Sequence, residues 1–306
     1  MDPATAADGR PFDAVAIDAI VRRLARRGEP AWLHVEVARR MAERLELIKH
    51  QPERVLDWWS ALGGGAEVLA RACPHAQRIA VEPPAVAALQ RGAARSWWRR
   101  LSRAGRLETV EEQSEITGPV DLVWANMMLP AVEDPPALFA RWHALLAVDG
   151  FVMFSALGPG TLRELRPVYA ALDWGPPGAD FVDMHDYGDM LLHAGFADPV
   201  MDQETIILRW HGPEALLAEL RSLGGNASPQ RAAGLRTPRW RARLVEALEG
   251  LRGEDGRLGL GFEVAYGHAF KGRPRARADA PTTVPLDEMR ALLRRRGSGM
   301  PPRAEA

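Results

Sequence analysis

The chain is short of cysteine, lysine and tyrosine, and each shortage narrows what it can be. Cys73 is the only cysteine in 306 residues, so no internal disulfide and no four-cysteine metal cluster can form, and a reducing compartment is expected. Lys49 and Lys271 are the only lysines, which leaves 37 of the 39 basic residues as arginine. A GC-rich coding sequence accounts for that bias and for the abundant alanine; a docking role is the competing reading for two local runs, RRLARR at 22–27 and RSWWRRLSRAGR at 95–106. Forty acidic residues bring the formal net charge to −1, without the whole-domain basic field of a nucleic-acid binder. No stretch approaches the ~18 apolar residues of a membrane span, and the N-terminal MDPATAADGRPFD has neither a basic start nor an apolar core. A cytoplasmic protein that binds neither nucleic acid nor membrane is expected.

What the chain does have is alternation. Leu33, Val37, Met41, Leu45 and Ile48 recur at helical spacing, predicting an amphipathic lead helix between Ala31 and Lys49. Strand signals follow at 55–57, 78–82, 106–110, 120–126 and 150–157, separated by the helical stretches AEVLARAC, AVAALQRGAARSWW and ALFARWHALLA. After Leu157, TLRELRPVYAAL and HDYGDMLLHAGF read as helices, PVMDQETIILRW as a strand region, and GLGFEVAYGHAF as the last strand. This order specifies an α/β fold: a doubly wound, mostly parallel seven-stranded sheet with helices on both faces. The expected organisation is a lead-in over 1–50, a main domain over 51–271 with a helical insertion at about 212–256, and a Pro/Arg-rich, poorly ordered tail over 272–306.

Chemistry is expected at the carboxyl ends of the central strands. In VLDWWSALGGG (55–65) Asp57 ends the first strand, and Glu82 ends the second, 25 residues later. An acid there accepts hydrogen bonds from a ribose diol; the bland alternative is a solvated loop residue. Gly63, Gly64 and Gly65 are consecutive and come late in the turn, so the G-x-G-x-x-G of a pyrophosphate-binding turn is absent. This weakens a nicotinamide reading and favours a nucleoside cofactor without a pyrophosphate, such as S-adenosylmethionine.

VLDWWSALGGGAEVLARACP, IAVEPP, VDLVWANMML, EDPPALFARWHALLAVDGFVMFSALGPGTLRELR and FVDMHDYGDMLLHAGFADPVMD resemble, in this order, the malonyl-acyl-carrier-protein O-methyltransferases of biotin synthesis, a class I methyltransferase family. LRSLGGNA and FEVAYGHAFK extend the resemblance, which runs from about residue 12 to 271. The chain is also similar to the mitochondrial complex I assembly factors of the same fold, whose associated activity is arginine hydroxylation. The first resemblance implies S-adenosylmethionine as cofactor, an acyl carrier protein as partner, and Asp57, Trp59, Ala61, Gly63, Glu82 and Asn126 as cofactor-facing positions. Against the family's Asp-x-Gly-x-Gly-x-Gly turn, Trp59 and Ala61 replace the first two glycines and Gly63 keeps the third. Trp59 is the weighty change, because glycine there supplies a positive φ that a bulky residue adopts only with strain. Arg27 stands where the family has a tyrosine, Pro130-Ala131 where it has Gln-Trp, and EEQSEITG is shorter than its adenine-binding loop.

Methylating a carboxylate requires positioning and exclusion of water rather than a strong base. Arg163 and Arg166, after the fifth strand, are candidates to hold the substrate carboxylate, with a solvated helix face as the plain alternative. Asp183, His185, Asp186 and Asp189 sit at a helix start, where capping explains them better than a metal. Cys73 and His75 read as structural. Trp97 and Trp98 read as packing residues, and Arg99, Arg100 and Arg103 as a docking patch for an acidic carrier. The resemblance thus predicts an enzyme; the altered turn keeps open a non-catalytic binding or assembly protein on the same scaffold and, more distantly, an arginine hydroxylase or a nicotinamide oxidoreductase.

Overall fold

The computed structural model describes residues 11–94, 108–232 and 236–273. The patch at 99–103, Trp97, Trp98 and the tail after residue 273 lie outside them. The described elements belong to one unit that ends at Gly272.

Seven strands form one sheet in the order β3-β2-β1-β4-β5-β7-β6. They are β1 Arg54–Trp58, β2 Gln77–Glu82, β3 Glu108–Glu111, β4 Val120–Asn126, β5 Leu146–Leu157, β6 Ala197–Trp210 and β7 Leu258–Phe270. The first five pair in parallel, whereas β7 runs antiparallel to both β5 and β6. The strand order reverses between β1 and β4, the position at which such sheets bind ligands. Trp58 is level with Val81 on one side and Ala125 on the other, so the turns after β1, β2 and β4 leave the same edge together.

The central strands are apolar throughout because both faces are covered. Along β4, Leu122 and Trp124 join one core cluster while Val123 and Ala125 join the other, the period-two alternation of a strand. On the first face the sheet carries α2 (Trp32–Leu45), α4 (Ala66–Ala72) and α7 (Leu165–Ala171), together with α9 (Pro213–Ser222) and α10 (Pro238–Glu249) of the insertion. On the second lie α1 (Ala14–Arg27), α5 (Pro84–Ala94), α6 (Pro135–Leu145) and α8 (Met184–His193). A one-turn helix, α3 (Ser60–Gly63), follows β1.

The lead helix is α2, which buries Leu33, Val37, Met41 and Leu45 as the spacing predicts. It stops at Leu45, and Ile48 packs on the core from the segment beyond. A second helix precedes it. Asp13 caps α1 by accepting the Ala16 N–H at 2.9 Å, Gly28 ends it at φ 78°, and the RRLARR run forms its last turns. The expected helix over TLRELRPVYAAL begins only at Leu165, because residues 161–164 form turns in which Leu162 takes φ 54°. The third strand is described over Glu108–Glu111, one residue past the expected end, and residues 106 and 107 of the expected strand lie outside the described residues. Asp183 caps α8, accepting the His185 N–H at 2.8 Å.

The insertion reaches across to α1. Arg231 forms an ion pair with Asp13 at 2.7 Å, Arg23 donates to the Gly224 carbonyl, and Asn226 donates to the Pro176 carbonyl at 2.7 Å. The loop after α9 is thereby held between the first helix and the loop after α7.

Candidate functional site

The turn after β1 is built around two tryptophans with different tasks. Trp58 ends the strand and is fully buried; its ring meets Trp142 edge-on at 5.7 Å between centroids, and the Arg141 guanidinium lies 5.0 Å from its ring centre. Trp59 turns the chain in the left-handed conformation, φ 58° and ψ 44°, the geometry that glycine adopts without strain. Its N–H donates to the Val81 carbonyl at 2.6 Å, and its own carbonyl accepts from Leu62 and Gly63 at 3.0 and 2.9 Å. Both indoles converge on one acid: Trp58 Nε1 donates to Glu112 Oε1 at 2.9 Å and Trp59 Nε1 to Glu112 Oε2 at 3.1 Å. Met127, in the turn after β4, and Leu162, after β5, also have positive φ, at 59° and 54°. Such residues cost about 1–3 kcal/mol each and gather at functional sites.

Two carboxyl groups are buried beside this turn. Asp57 accepts a hydrogen bond from Ser60 Oγ at 2.5 Å. Burial pushes its pKa up to about 7, against the opposing effects of the Ser60 bond and the Arg78 charge. Glu82 is 1 % exposed. Its Oε1 accepts the Ala61 N–H at 2.9 Å and faces Gln90 Nε2 at 3.4 Å, while its Oε2 has no hydrogen-bond partner among the described residues. Burial first, then the neighbouring Asp57 charge, raise its pKa to about 7, with the Ala61 and Gln90 bonds opposing.

Asn126 closes the other side. Its Nδ2 donates to the His34 carbonyl at 2.8 Å and to the Gly63 carbonyl, and Ser155 Oγ donates to its Oδ1 at 2.6 Å. His34 Nδ1 meets the Leu62 carbonyl at 2.9 Å, and burial lowers the His34 pKa, which leaves a neutral ring as the donor. The glycines here answer to close approach. A Cβ on Gly63 would stand 3.2 Å from the Asn126 carbonyl oxygen, and one on Gly65 2.6 Å from Trp124 Nε1.

Asp57, Trp59, Ala61, Gly63, Glu82 and Asn126 therefore form one hydrogen-bonded neighbourhood at the switch point. Arg163 and Arg166 lie apart from it. Arg163 is exposed and meets Glu164 at 3.5 Å, and Arg166 donates to the Pro159 carbonyl. Two clefts open nearby. One, of about 680 Å³, is walled by Trp59, Pro83, Pro84, Glu112 and Val132 on one side and by α1 residues such as Ile17 on the other. The second, of about 670 Å³, includes Arg166, Thr161, Asp173 and Phe181.

Sequence reasoning missed Glu112, which continues the β3 line and donates its N–H to the Glu82 carbonyl at 2.8 Å. Its signals were its place just past the edge strand β3 and within EEQSEITG, the segment set against the family's adenine-binding loop.

A nucleoside cofactor can be tested against these residues. The unpartnered, buried Oε2 of Glu82 is an acceptor that a ribose hydroxyl would satisfy, and the adjacent cleft, lined by Asp18, Arg22, Arg26, Glu112 and Glu133 among mainly apolar residues, offers a purine apolar walls and a carboxylate. The residues fit such a group, with one condition: the turn over 59–61 covers Glu82 and has to move to admit it.

Among curated proteins, the chain is 41% identical over 260 residues to the malonyl-[acyl-carrier protein] O-methyltransferase of Gallionella capsiferriformans, a match covering 83% of this chain and 89% of that one. The protein of the same name from Laribacter hongkongensis is 40% identical over 261 residues, covering 81% and 86%. That from Halorhodospira halophila is 38% identical over 301 residues, covering 94% and 99%. No family model matches the chain. Solved structures align more loosely. Phosphoethanolamine N-methyltransferase 2 of Haemonchus contortus, in complex with S-adenosyl-L-methionine, has 16% identity and a TM-score of 0.44, covering 76% of this chain and 52% of that one. The YcgJ protein of Bacillus subtilis has 11% identity and a TM-score of 0.49, covering 76% and 98%.

Proposed function

Because the chain belongs to the malonyl-[acyl-carrier protein] O-methyltransferase family, we propose that it methylates the free carboxylate of a malonyl thioester borne by an acyl carrier protein, in biotin synthesis, using S-adenosylmethionine. The observation that carries the cofactor assignment is Glu82, a buried strand-end carboxylate with one oxygen left unpartnered. When bound, S-adenosylmethionine supplies an activated methyl group.

In this reading the chain's residues hold, orient and shield. Glu82 takes the ribose hydroxyls, and Asn126, through its bonds to the Gly63 and His34 carbonyls, fixes the turn against which the cofactor rests. The acceptor is already an anion at neutral pH and is itself the nucleophile, so no side chain has to remove a proton. Rate comes from alignment and from keeping water out, a task suited to the loop that ties the insertion to α1. Arg166 is the cation for the substrate carboxylate, since it lines the second cleft and a guanidinium pairs with a carboxylate through two parallel bonds.

One observation favours a second reading: Trp59 and its neighbours cover Glu82, as expected of a descendant that binds partners without methylating them. The test is direct. Purified protein is mixed with malonyl-acyl carrier protein and S-adenosylmethionine, and the malonyl group is followed by mass spectrometry. A methyl ester is expected. No ester on this carrier or on malonyl-coenzyme A, together with no S-adenosylmethionine bound, would transfer the protein to the second reading.

A further inference from the structure

The proposed function requires a nucleoside at the β1–β2–β3 edge, and something already stands there. We infer that Trp59 is a gate that occupies the nucleoside site of its own chain, its indole N–H holding the carboxylate that a purine amine would use, and that the cofactor binds by displacing it. The inference rests on the cofactor assignment above.

Three observations lead to it. Trp59 is both a wall of the 680 Å³ cleft, which Glu112 also lines, and a donor to Glu112, so it holds that acid from the cleft side. Glu82 is covered from the same side, because the Ala61 N–H two residues on is bonded to its Oε1. Its Oε2 is buried without a partner, an acceptor that the closed turn leaves unsatisfied and a ligand hydroxyl would satisfy.

The turn is built to move at one residue. Trp58 is anchored on its own account by Glu112, Trp142 and Arg141, so it stays while Trp59 swings. Trp59 holds a left-handed backbone that opposes closure, while its bond to Glu112 and its packing against neighbours such as Leu62 and Val86 favour it. Opening would free one acceptor position on Glu112, and where the movement extends along the turn to Ala61 it would also release Glu82 Oε1 from its backbone bond. The same residue then sets how much of the protein is competent to bind.

The probe is S-adenosylhomocysteine, followed by calorimetry and stopped-flow fluorescence on the full chain, for wild type, Trp59→Gly and Trp59→Phe. If about nine-tenths of the molecules are closed, removing the indole tightens binding by about tenfold, since apparent affinity scales with the competent fraction. Trp59→Phe, which keeps a ring but loses the N–H bond to Glu112, is expected to bind faster than wild type and to fall between the other two in affinity. Wild type is expected to change fluorescence on binding, and Trp59→Phe to lose part of that signal. Wild-type binding as strong as, or stronger than, that of Trp59→Gly would overturn the gate and make Trp59 a fixed wall, leaving the methyltransferase reading in place. Should the glycine variant fail to melt cooperatively, the association rate of Trp59→Phe decides: faster supports the gate, equal or slower overturns it. No binding by wild type or by a folded Trp59→Gly would remove the cofactor assignment, and the gate with it.

Discussion

The cleft walled by α1 and Trp59 and the cleft that includes Arg166 enclose about 680 and 670 Å³, yet they differ in what lies behind their walls. Behind the first are Asp57 and Glu82, two carboxyls whose pKa burial pushes up to about 7, and a pair of indoles bonded to one acid. The ionisable residues of the second, Arg166, Asp173 and Asp180, are exposed. Volume therefore does not rank the two. The first is an organised polar interior under a strained turn, suited to a ligand held by few, fixed bonds. The second is a solvated surface on which one arginine is available to a charged group. A cofactor and a substrate carboxylate make these two kinds of demand.

The largest effect that should separate the two regions is on stability. Trp58→Ala removes a fully buried indole, its bond to Glu112 and its contact with Trp142, at a cost of about 3–5 kcal/mol. Chemical denaturation reads it. A loss below about 1 kcal/mol would mean that the first cleft is not anchored by this residue, and that Trp59 has no fixed neighbour to swing against.

How much of this was legible beforehand follows the range of the interactions. The strands announced themselves because both faces of the sheet are covered, so the central strands are mainly apolar runs. For the same reason Asp57, Glu82 and Asn126 could be placed at one edge from their positions at strand ends. The lead helix showed through its spacing. The first helix did not, because Val21 is its only fully buried residue and arginines fill its last turns. The start of α7 was misjudged because Leu162 takes a positive φ, which a helical pattern of side chains does not reveal. Trp59 was recognised as a strained replacement for glycine, but its destination was hidden. The partner of both indoles is Glu112, 53 residues from Trp59 along the chain, and only the pairing of β2 with β3 brings it near.

A second, intermediate effect follows from the two buried acids. Each has its folded-state pKa raised from the ordinary carboxylate range to about 7, so between about pH 4 and 7 the folded protein binds more protons than the unfolded chain. Stability conferred by these protons is complete below the unfolded pKa and is lost as pH rises through 7, with a slope of up to about 1.4 kcal/mol per pH unit for each group. Melting temperature is therefore expected to fall from pH 5.5 to pH 8. Asp57→Asn, which carries no charge at either pH, should flatten the fall. A profile unchanged by this substitution would show that Asp57 takes up no proton on folding and would leave the fall to Glu82.

The smallest effect on stability is expected in the second cleft, where it is informative because it is small. Arg166 is exposed, and among the described residues its side chain bonds only to the Pro159 carbonyl, so Arg166→Ala should change stability by no more than about 0.5 kcal/mol. Arg163, exposed and only loosely met by Glu164, should be as dispensable to folding. If Arg166 holds the substrate carboxylate, its loss should raise KM for a malonyl thioester while leaving binding of the corresponding methyl ester, which has no charge to hold, unchanged. Arg163→Ala serves as the control for general loss of positive charge at the same surface. Equal losses with acid and ester would mean that the cleft bounds the substrate without reading its charge, and selective loss with Arg163→Ala alone would move the clamp by three residues to the other side of the turn.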